Sequence, residues 1–239
     1  MQAFADCCFQ VLQAPDATTL RSATARAADA LGFEHITGFF AFDRPGRPTQ
    51  FVQTACRIPA GYEEIFSDPS VGRKDPVSQY LKHHHTPIAW NKGFYSRLGQ
   101  SDLWERVASF GYKTGISAAL HMPHGRHHCF GLSRWESLPS KLEERNELVA
   151  KVHLLGCYVH EAASRMFSPL ASGTEQLSRR EQDCLRWTLE GKTAWEIGRI
   201  LHFSERTVSA LLARATKELD CVNKHQAALR AVQLGLIPL

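Results

Sequence analysis

Residues 176–239 leave the fewest folding options open, because their helix starts and stops fall at short, fixed intervals. Ser178 followed by Glu181 is a capping-box pair that satisfies two orphan amide donors at a helix start. Glu181, Leu185 and Leu189 recur at helical spacing, and Gly191 stands where a chain leaving a helix wants positive φ. Thr193 opens a second helix with Ile197, Ile200 and Leu201 on its apolar side. His202 and Phe203 form a tight turn, after which Ser204 caps a third helix. The buried stripe of that helix is Val208, Leu211, Leu212, Ala215 and Leu219. A fourth helix over 226–234 offers Ala227, Leu229, Val232 and Leu234. Two short helices joined by so tight a turn outline a helix-turn-helix. Spacing alone leaves an ordinary helical bundle equally open.

The residues themselves narrow the choice. Leu177-Ser178-Arg179-Arg180-Glu181, then Glu190-Gly191-Lys192-Thr193, then Ser204-Glu205-Arg206-Thr207-Val208, then Lys224 with Gln226-Ala227, resemble the LuxR-type DNA-binding domain without a gap. Glu181, Leu185 and Gly191 stand at the positions of that family's hallmark residues. The resemblance implies binding to double-stranded DNA, as a homodimer on a two-fold related site. Opposite the buried stripe, the groove-facing positions of the third helix are Arg206, Ser209, Ala210, Ala213, Arg214 and Lys217. By resemblance, Lys192, Thr193, Thr207 and Lys224 hold phosphates, with helix N-termini adding backbone donors. Arg206 can instead read a guanine bidentately. The family commonly carries polar or basic residues where Ala210 and Ala213 lie. Methyl groups touch thymine methyls but discriminate weakly, so modest sequence specificity or an unusual site is expected.

Composition adds limits. At 239 residues, with 44% hydrophobic and 22% charged side chains, the chain reads as soluble and globular, with room for two domains. A formal charge of +4 is too mild to announce a nucleic-acid binder by itself. No apolar run approaches bilayer length, and the first residues lack a secretion signal, so a cytoplasmic location is expected. Seven cysteines, an odd count without a paired framework, fit reduced thiols.

Upstream, the chain alternates helices with a few strands. Asp16 caps a helix carrying Leu20, Ala23, Ala27 and Leu31, with Gly32 at its end. Strands are expected at 36–42 and 50–56, joined through the Pro/Gly-rich turn 44–48. A short helix follows at 59–66, another starts at Asp75-Pro76, and 87–90 is extended. Residues 103–110 read as helix, and 115–122 and 128–135 as strands joined through 123–126. A long amphipathic helix runs over 139–167, with Leu142, Val149, Val152, Leu155, Val159 and Ala162 on its apolar side. The expected class is α+β: an α/β/α sandwich over 1–167, with an antiparallel sheet covered on both faces, and an all-α four-helix domain over 176–239. Residues 168–175 have linker composition.

The first domain resembles the autoinducer-binding domain of quorum-sensing LuxR-type regulators. Asp75-Pro76, Trp90 fifteen residues later and Gly115 twenty-five after that carry the match. The resemblance implies a small-molecule effector, no cofactor, Asp75 accepting the ligand amide N–H and Trp90 packing on a lactone ring. Read without it, Asp75 is an acid at a helix N-terminus and Trp90 a core aromatic. The departures matter as much. Tyr62 occupies the site of a tryptophan that holds the lactone carbonyl, Phe66 replaces a tyrosine, Ile58 another polar aromatic, and Gly131 a Ser or Thr. A buried ligand carbonyl left unpaired costs about 1–3 kcal/mol. Two such losses weaken an acyl-homoserine lactone by on the order of a hundredfold. The pocket is therefore expected to suit another small, partly apolar ligand or none, as in regulators without a matching synthase, the LuxR solos.

Two histidine runs stand apart: His83-His84-His85, and His121, His124, His127 and His128 beside Cys129. Neither has zinc-finger or zincin spacing, so surface histidines are expected rather than a metal site. No phosphate-cradling loop, nucleophile elbow or paired-cysteine motif points to an enzyme. Cys7-Cys8 reads as core. The long helix and the last helix are the expected dimer elements. Ala210 and Ala213 keep a second possibility open: an anti-activator that pairs with another LuxR-type regulator and binds DNA weakly.

Overall fold

The structure, a computed structural model, describes residues 2–42, 49–66, 69–122, 126–167 and 177–238. The turn expected at 44–48, most of that at 123–126 with His124, and the expected linker 168–175 lie outside them. Contacts divide the described residues into two compact units, one ending at residue 167 and one beginning at 177.

In the first unit the elements run α1 (Gln2–Leu12), α2 (Ala17–Ala30), β1 (His35–Phe42), β2 (Gln50–Gln53), a 3₁₀ turn (Tyr62–Phe66), α3 (Pro69–Lys74) and α4 (Pro76–His83). They continue with β3 (Ile88–Trp90), α5 (Lys92–Arg97), α6 (Ser101–Ala108), β4 (Thr114–Met122), β5 (Arg126–Arg134) and α7 (Leu142–Phe167). The strands form one antiparallel sheet in the order β2-β1-β5-β4-β3.

Alternation along the strands sends side chains to opposite faces. On one face Ile36, Phe40, Phe42, Ile116, Phe130 and Leu132 pack against α1, α2 and α7 through Val11, Leu20, Ala27, Val152, Leu155 and Val159. On the other, Trp90, Ala119 and the half-buried Cys129 meet Val77 and Leu81 of α4, Tyr95 of α5, and Leu103 and Val107 of α6. Helices therefore cover both faces, as the α/β/α expectation required.

Boundaries moved where backbone chemistry overrode apolar spacing. The helix expected at 59–66 is only a 3₁₀ turn, because Gly61 takes φ +80 directly before it. The long helix begins at Leu142, whose side chain is exposed rather than apolar-side packing.

His128, expected among the surface histidines, is instead fully buried and faces α7, because strand alternation turns it to the same side as Phe130 and Leu132. Its Nε2 lies 3.1 Å from Thr54 Oγ1, and its ring packs on Phe40 and His160. Burial, then neighbouring His160, holds its pKa down to about 3. An imidazole titrating near 6.5 when unfolded and near 3 when folded leaves the unfolded chain with more protons in between. Stability is therefore full above about pH 6.5 and falls with acidification by up to ~1.4 kcal/mol per pH unit. Denaturant melts between pH 7 and 4 are expected to show that slope, and His128→Leu to flatten it. An unchanged slope in the variant would exclude this histidine as the source.

The second unit is α8 (Arg179–Leu189), α9 (Ala194–Leu201), α10 (Glu205–Glu218) and α11 (Lys224–Gln233). Its core is Leu177, Cys184, Leu185, Ile197, Val208, Leu212, Ala215, Leu219, Ala227, Ala228, Ala231, Val232 and Ile237. Three residues expected inside are exposed: Leu189, Ile200 and Leu229. The buried positions are instead Cys184, Leu185 and Thr188 on α8, Ile197 and Gly198 on α9, and Ala227, Ala228, Ala231 and Val232 on α11.

Candidate functional site

Asp75 fills the first of its expected roles, that of an acid at a helix N-terminus. It caps α4, with Oδ2 accepting from Ser78 N at 2.8 Å and Ser78 Oγ at 2.6 Å. It is also 5% exposed, and Oδ1 accepts from the Tyr95 hydroxyl at 2.8 Å. A carboxylate oxygen has two lone pairs, so Oδ1 can take a second donor. Burial, then the Asp75 charge, pushes the Tyr95 phenol far above its ordinary value. Burial, then Tyr112 and Asp75, does the same to Tyr62. Both phenols therefore stay protonated and can donate.

Trp90 is buried at the end of β3, with its Nε1 donating to Ser117 Oγ at 3.0 Å and its ring edge-on to Tyr95. Gly115 is its cross-strand partner on β4. A Cβ at Gly115 would lie 2.6 Å from Trp90 Cε2 and 2.7 Å from the Leu132 carbonyl, so the glycine makes the indole's seat. Gly131 lies opposite Ser117, and a Cβ there would come within 2.7 Å of Ser117 Oγ. The missing side chain at 131 and the hydroxyl at 117 thus occupy one space in turn.

Tyr62 stacks on Tyr112 at 4.0 Å, and Tyr112 on His35 at 4.6 Å. Ile58 and Tyr62 pack half-buried against the core that holds Trp90 and Tyr95. Phe66 ends the 3₁₀ turn, and its side chain lies outside the described residues. Ile58, Tyr62, Asp75, Trp90, Gly115 and Gly131 therefore surround one side of the sheet. Sequence reading missed Tyr95, Ser117 and Tyr112. Only strand register and the fold of α5 bring them in.

In the second unit the expected caps form. Ser178 and Glu181 complete one capping box, Thr193 and Glu196 another, and Ser204 caps α10 through Thr207 N at 3.1 Å. His202 turns at φ 58, and a Cβ on Gly198 would stand 2.6 Å from the Phe203 carbonyl, which is why the turn can be so tight. Arg206, Thr207, Ser209, Ala210, Ala213, Arg214 and Lys217 are all exposed along α10. Ser209, Leu212, Ala213 and Thr216 form one wall of a depression of ≈ 400 Å³; Ala194, Val222, Asn223 and Lys224 close it. The starts of α9 and α11 thus flank α10, with Lys192 and Lys224 half-buried beside them.

Several expected contacts are already engaged. Arg214 Nε lies 2.9 Å from Glu218 Oε1 and 3.2 Å from Oε1 of the fully buried Glu181. The Thr193 hydroxyl donates to Glu196, and the Thr207 hydroxyl lies 2.8 Å from Ser204 Oγ. Among the described residues Lys192, Arg206, Lys217 and Lys224 make no ion pair.

Comparison with known proteins finds a family for each of the two units. The family described as "Autoinducer binding domain" matches residues 16–163. The family described as "Bacterial regulatory proteins, luxR family" matches residues 175–231. The transcriptional activator protein BjaR1 of Bradyrhizobium diazoefficiens is 28% identical over 93% of this chain and 90% of its own. The transcriptional activator protein SolR of Ralstonia nicotianae is 30% identical over 75% of each. Among solved structures, Escherichia coli SdiA superposes with a TM-score of 0.81 at 24% identity, covering 98% of both chains. SdiA in complex with octanoyl-rac-glycerol superposes at 0.79 with 23% identity, covering 98% of this chain and 95% of that one.

Proposed function

The chain belongs to the luxR family of bacterial regulatory proteins, with an autoinducer binding domain preceding its DNA-binding domain, and from that premise we propose a ligand-responsive regulator whose pocket departs from the usual acyl-homoserine lactone pattern. It is a transcriptional regulator of the quorum-sensing type, and its relatives are regulators rather than enzymes. We assign the effector to residues 1–167 and DNA binding to 176–239, joined through 168–175. No helix among the described residues is long and apolar enough to cross a membrane. A cytoplasmic homodimer on two-fold related DNA, acting as a LuxR solo, is the reading we put forward.

The observation that carries it is the Trp90–Ser117–Gly131 arrangement. A hydroxyl expected on β5 is offered instead from β4, where it accepts the indole N–H and keeps its own proton to donate. Tyr62 and Ile58 alter the other side, and by resemblance Phe66 stands in place of a tyrosine. The effector then meets Asp75 as acceptor and Ser117 and Tyr62 as donors, at points shifted from those that hold a lactone and its amide. Binding to the folded domain stabilises it and biases the dimer toward the spacing that DNA requires. Titrating the full chain with a panel of acyl-homoserine lactones tests the pocket reading. Weak or no binding supports it, and saturable nanomolar binding to any of them sinks it.

On the DNA side, Lys192, Thr193, Arg206, Thr207, Ser209, Ala210, Ala213, Arg214, Lys217 and Lys224 remain the proposed contacts, but not equal ones. The ion pairs of Arg214 with Glu181 and Glu218 support a positioning role for that side chain. Arg206→Ala is expected to weaken DNA binding in a gel shift while leaving the melting temperature nearly unchanged. Arg214→Ala is expected to lower the melting temperature, because it strips the buried Glu181 carboxylate of its cation. The reverse pattern would overturn the assignment.

The same engaged side chains, with Ala210 and Ala213, favour one second reading: an anti-activator that pairs with another LuxR-type regulator. Gel shifts with and without such a partner separate the two. Specific binding by the chain alone supports the first reading, and loss of the partner's shift supports the second.

A further inference from the structure

We propose that His121 and His127, at the outer end of the β4–β5 ladder, form a binding site for a transition-metal cation of the zinc or copper class. The two residues are cross-strand partners, so their side chains project from the same face of the sheet. Their Nδ1 atoms lie 2.7 Å apart. His121 Nε2 lies 3.2 Å from the His84 carbonyl. A carbonyl only accepts, so Nε2 carries the proton, and in the neutral ring the Nδ1 lone pair then points at His127. One imidazole nitrogen held by a backbone carbonyl while the other is presented is how metal-ligating histidines are fixed in tautomer and orientation. The ring of His85 packs edge-on against His121 at 4.6 Å, placing a third imidazole against the pair.

The described residues hold no preassembled group of three ligating side chains. The pair therefore supplies two positions, and water or a turned His85 supplies the rest. Imidazole nitrogens suit zinc and copper, whereas magnesium and calcium require oxygen ligands. Zn–N bonds of about 2.0–2.1 Å at a tetrahedral angle need the nitrogens roughly 3.3 Å apart. Opening from the observed separation takes only ring rotation at a half-exposed hairpin end. The cation replaces the proton between the rings, which moves from His127 Nδ1 to its Nε2 through solvent, so both ligands stay neutral.

Coordination at Nδ1 also makes the opposite N–H a stronger donor to His84. That residue is the C-cap of α4, whose other end is capped by Asp75. A metal at the hairpin would therefore be felt by the helix that carries the proposed effector acceptor.

The test is calorimetric titration of the full chain, made without an affinity tag, with zinc chloride. The wild type and His84→Gln, which keeps the backbone carbonyl, are expected to bind one equivalent. His121→Gln and His127→Gln are each expected to bind at least tenfold more weakly while keeping the wild-type melting temperature. Imidazole nitrogen NMR should show both Nδ1 signals move on zinc addition. Absence of saturable uptake by the wild type, or uptake that survives both His121→Gln and His127→Gln, would overturn the proposal.

Discussion

Asp75→Ala is expected to destabilise the first unit by about 2–4 kcal/mol, from a lost helix cap of about 1 kcal/mol and a stranded buried hydroxyl of about 1–3 kcal/mol. The cap is the Ser78 amide bound to Oδ2, and the hydroxyl is that of Tyr95 on Oδ1. For a unit of this size the melting temperature should fall by roughly 5–15 °C. The alanine variant alone does not separate a structural from a ligand-binding role, since a weakened fold also binds less. Asp75→Asn does. It keeps one carbonyl oxygen for the Ser78 amide at the α4 start, while its NH2 can donate to the Tyr95 oxygen instead of accepting from it, so much of the stability should return. Its charge is gone, so thermal protection by an effector that donates an N–H should shrink by tenfold or more in apparent affinity. An asparagine variant that is stable and equally well protected would leave Asp75 as a helix cap only.

How far sequence reading reaches can be followed through individual residues. In the second unit nearly everything lies in local chemistry: Ser178 with Glu181, Thr193 with Glu196, Gly191 at φ +77 and the Ser204 cap all act within a few residues. Helix caps and turns are therefore legible from spacing. What escaped there is tertiary. Nothing in the spacing of Glu181, Arg214 and Glu218 says that one arginine will bind both acids, because Glu181 and Arg214 lie on different helices. The first unit is harder, since its site is assembled across a sheet. Asp75 and Trp90 stand out by their spacing, but Tyr95 and Ser117 reach them only through the fold of α5 and the register of β4. The histidines show the same limit. Linear spacing argues against a metal site, whereas cross-strand pairing sets His121 and His127 nitrogen to nitrogen.

That dependence on register makes Gly115 the most sensitive position of the site. A Cβ there would meet Trp90 Cε2 at 2.6 Å and the Leu132 carbonyl at 2.7 Å, distances that real Cβ atoms do not adopt. The carbonyl belongs to the β4–β5 ladder and cannot withdraw without breaking it, so the indole must move. Moving it detaches Nε1 from Ser117 and strands a buried donor. Overpacking costs typically about 1–3 kcal/mol and the unpaired donor about 1–3 kcal/mol more, so Gly115→Ala is expected to destabilise by roughly 2–6 kcal/mol. The cause can be isolated by a double-mutant cycle. Trp90→Phe alone should destabilise, because it empties part of the seat and leaves Ser117 without its indole partner. Added to Gly115→Ala, the same change should cost much less, because the smaller ring clears the new methyl. A coupling of about 1 kcal/mol or more in chemical denaturation would place the strain between these two residues. Strict additivity would show instead that the Leu132 carbonyl contact carries the penalty, and that the indole has room to shift. In that case Trp90 would be a mobile wall of the pocket rather than a fixed one, and the Ser117 hydroxyl would be released to the effector whenever the ring swings.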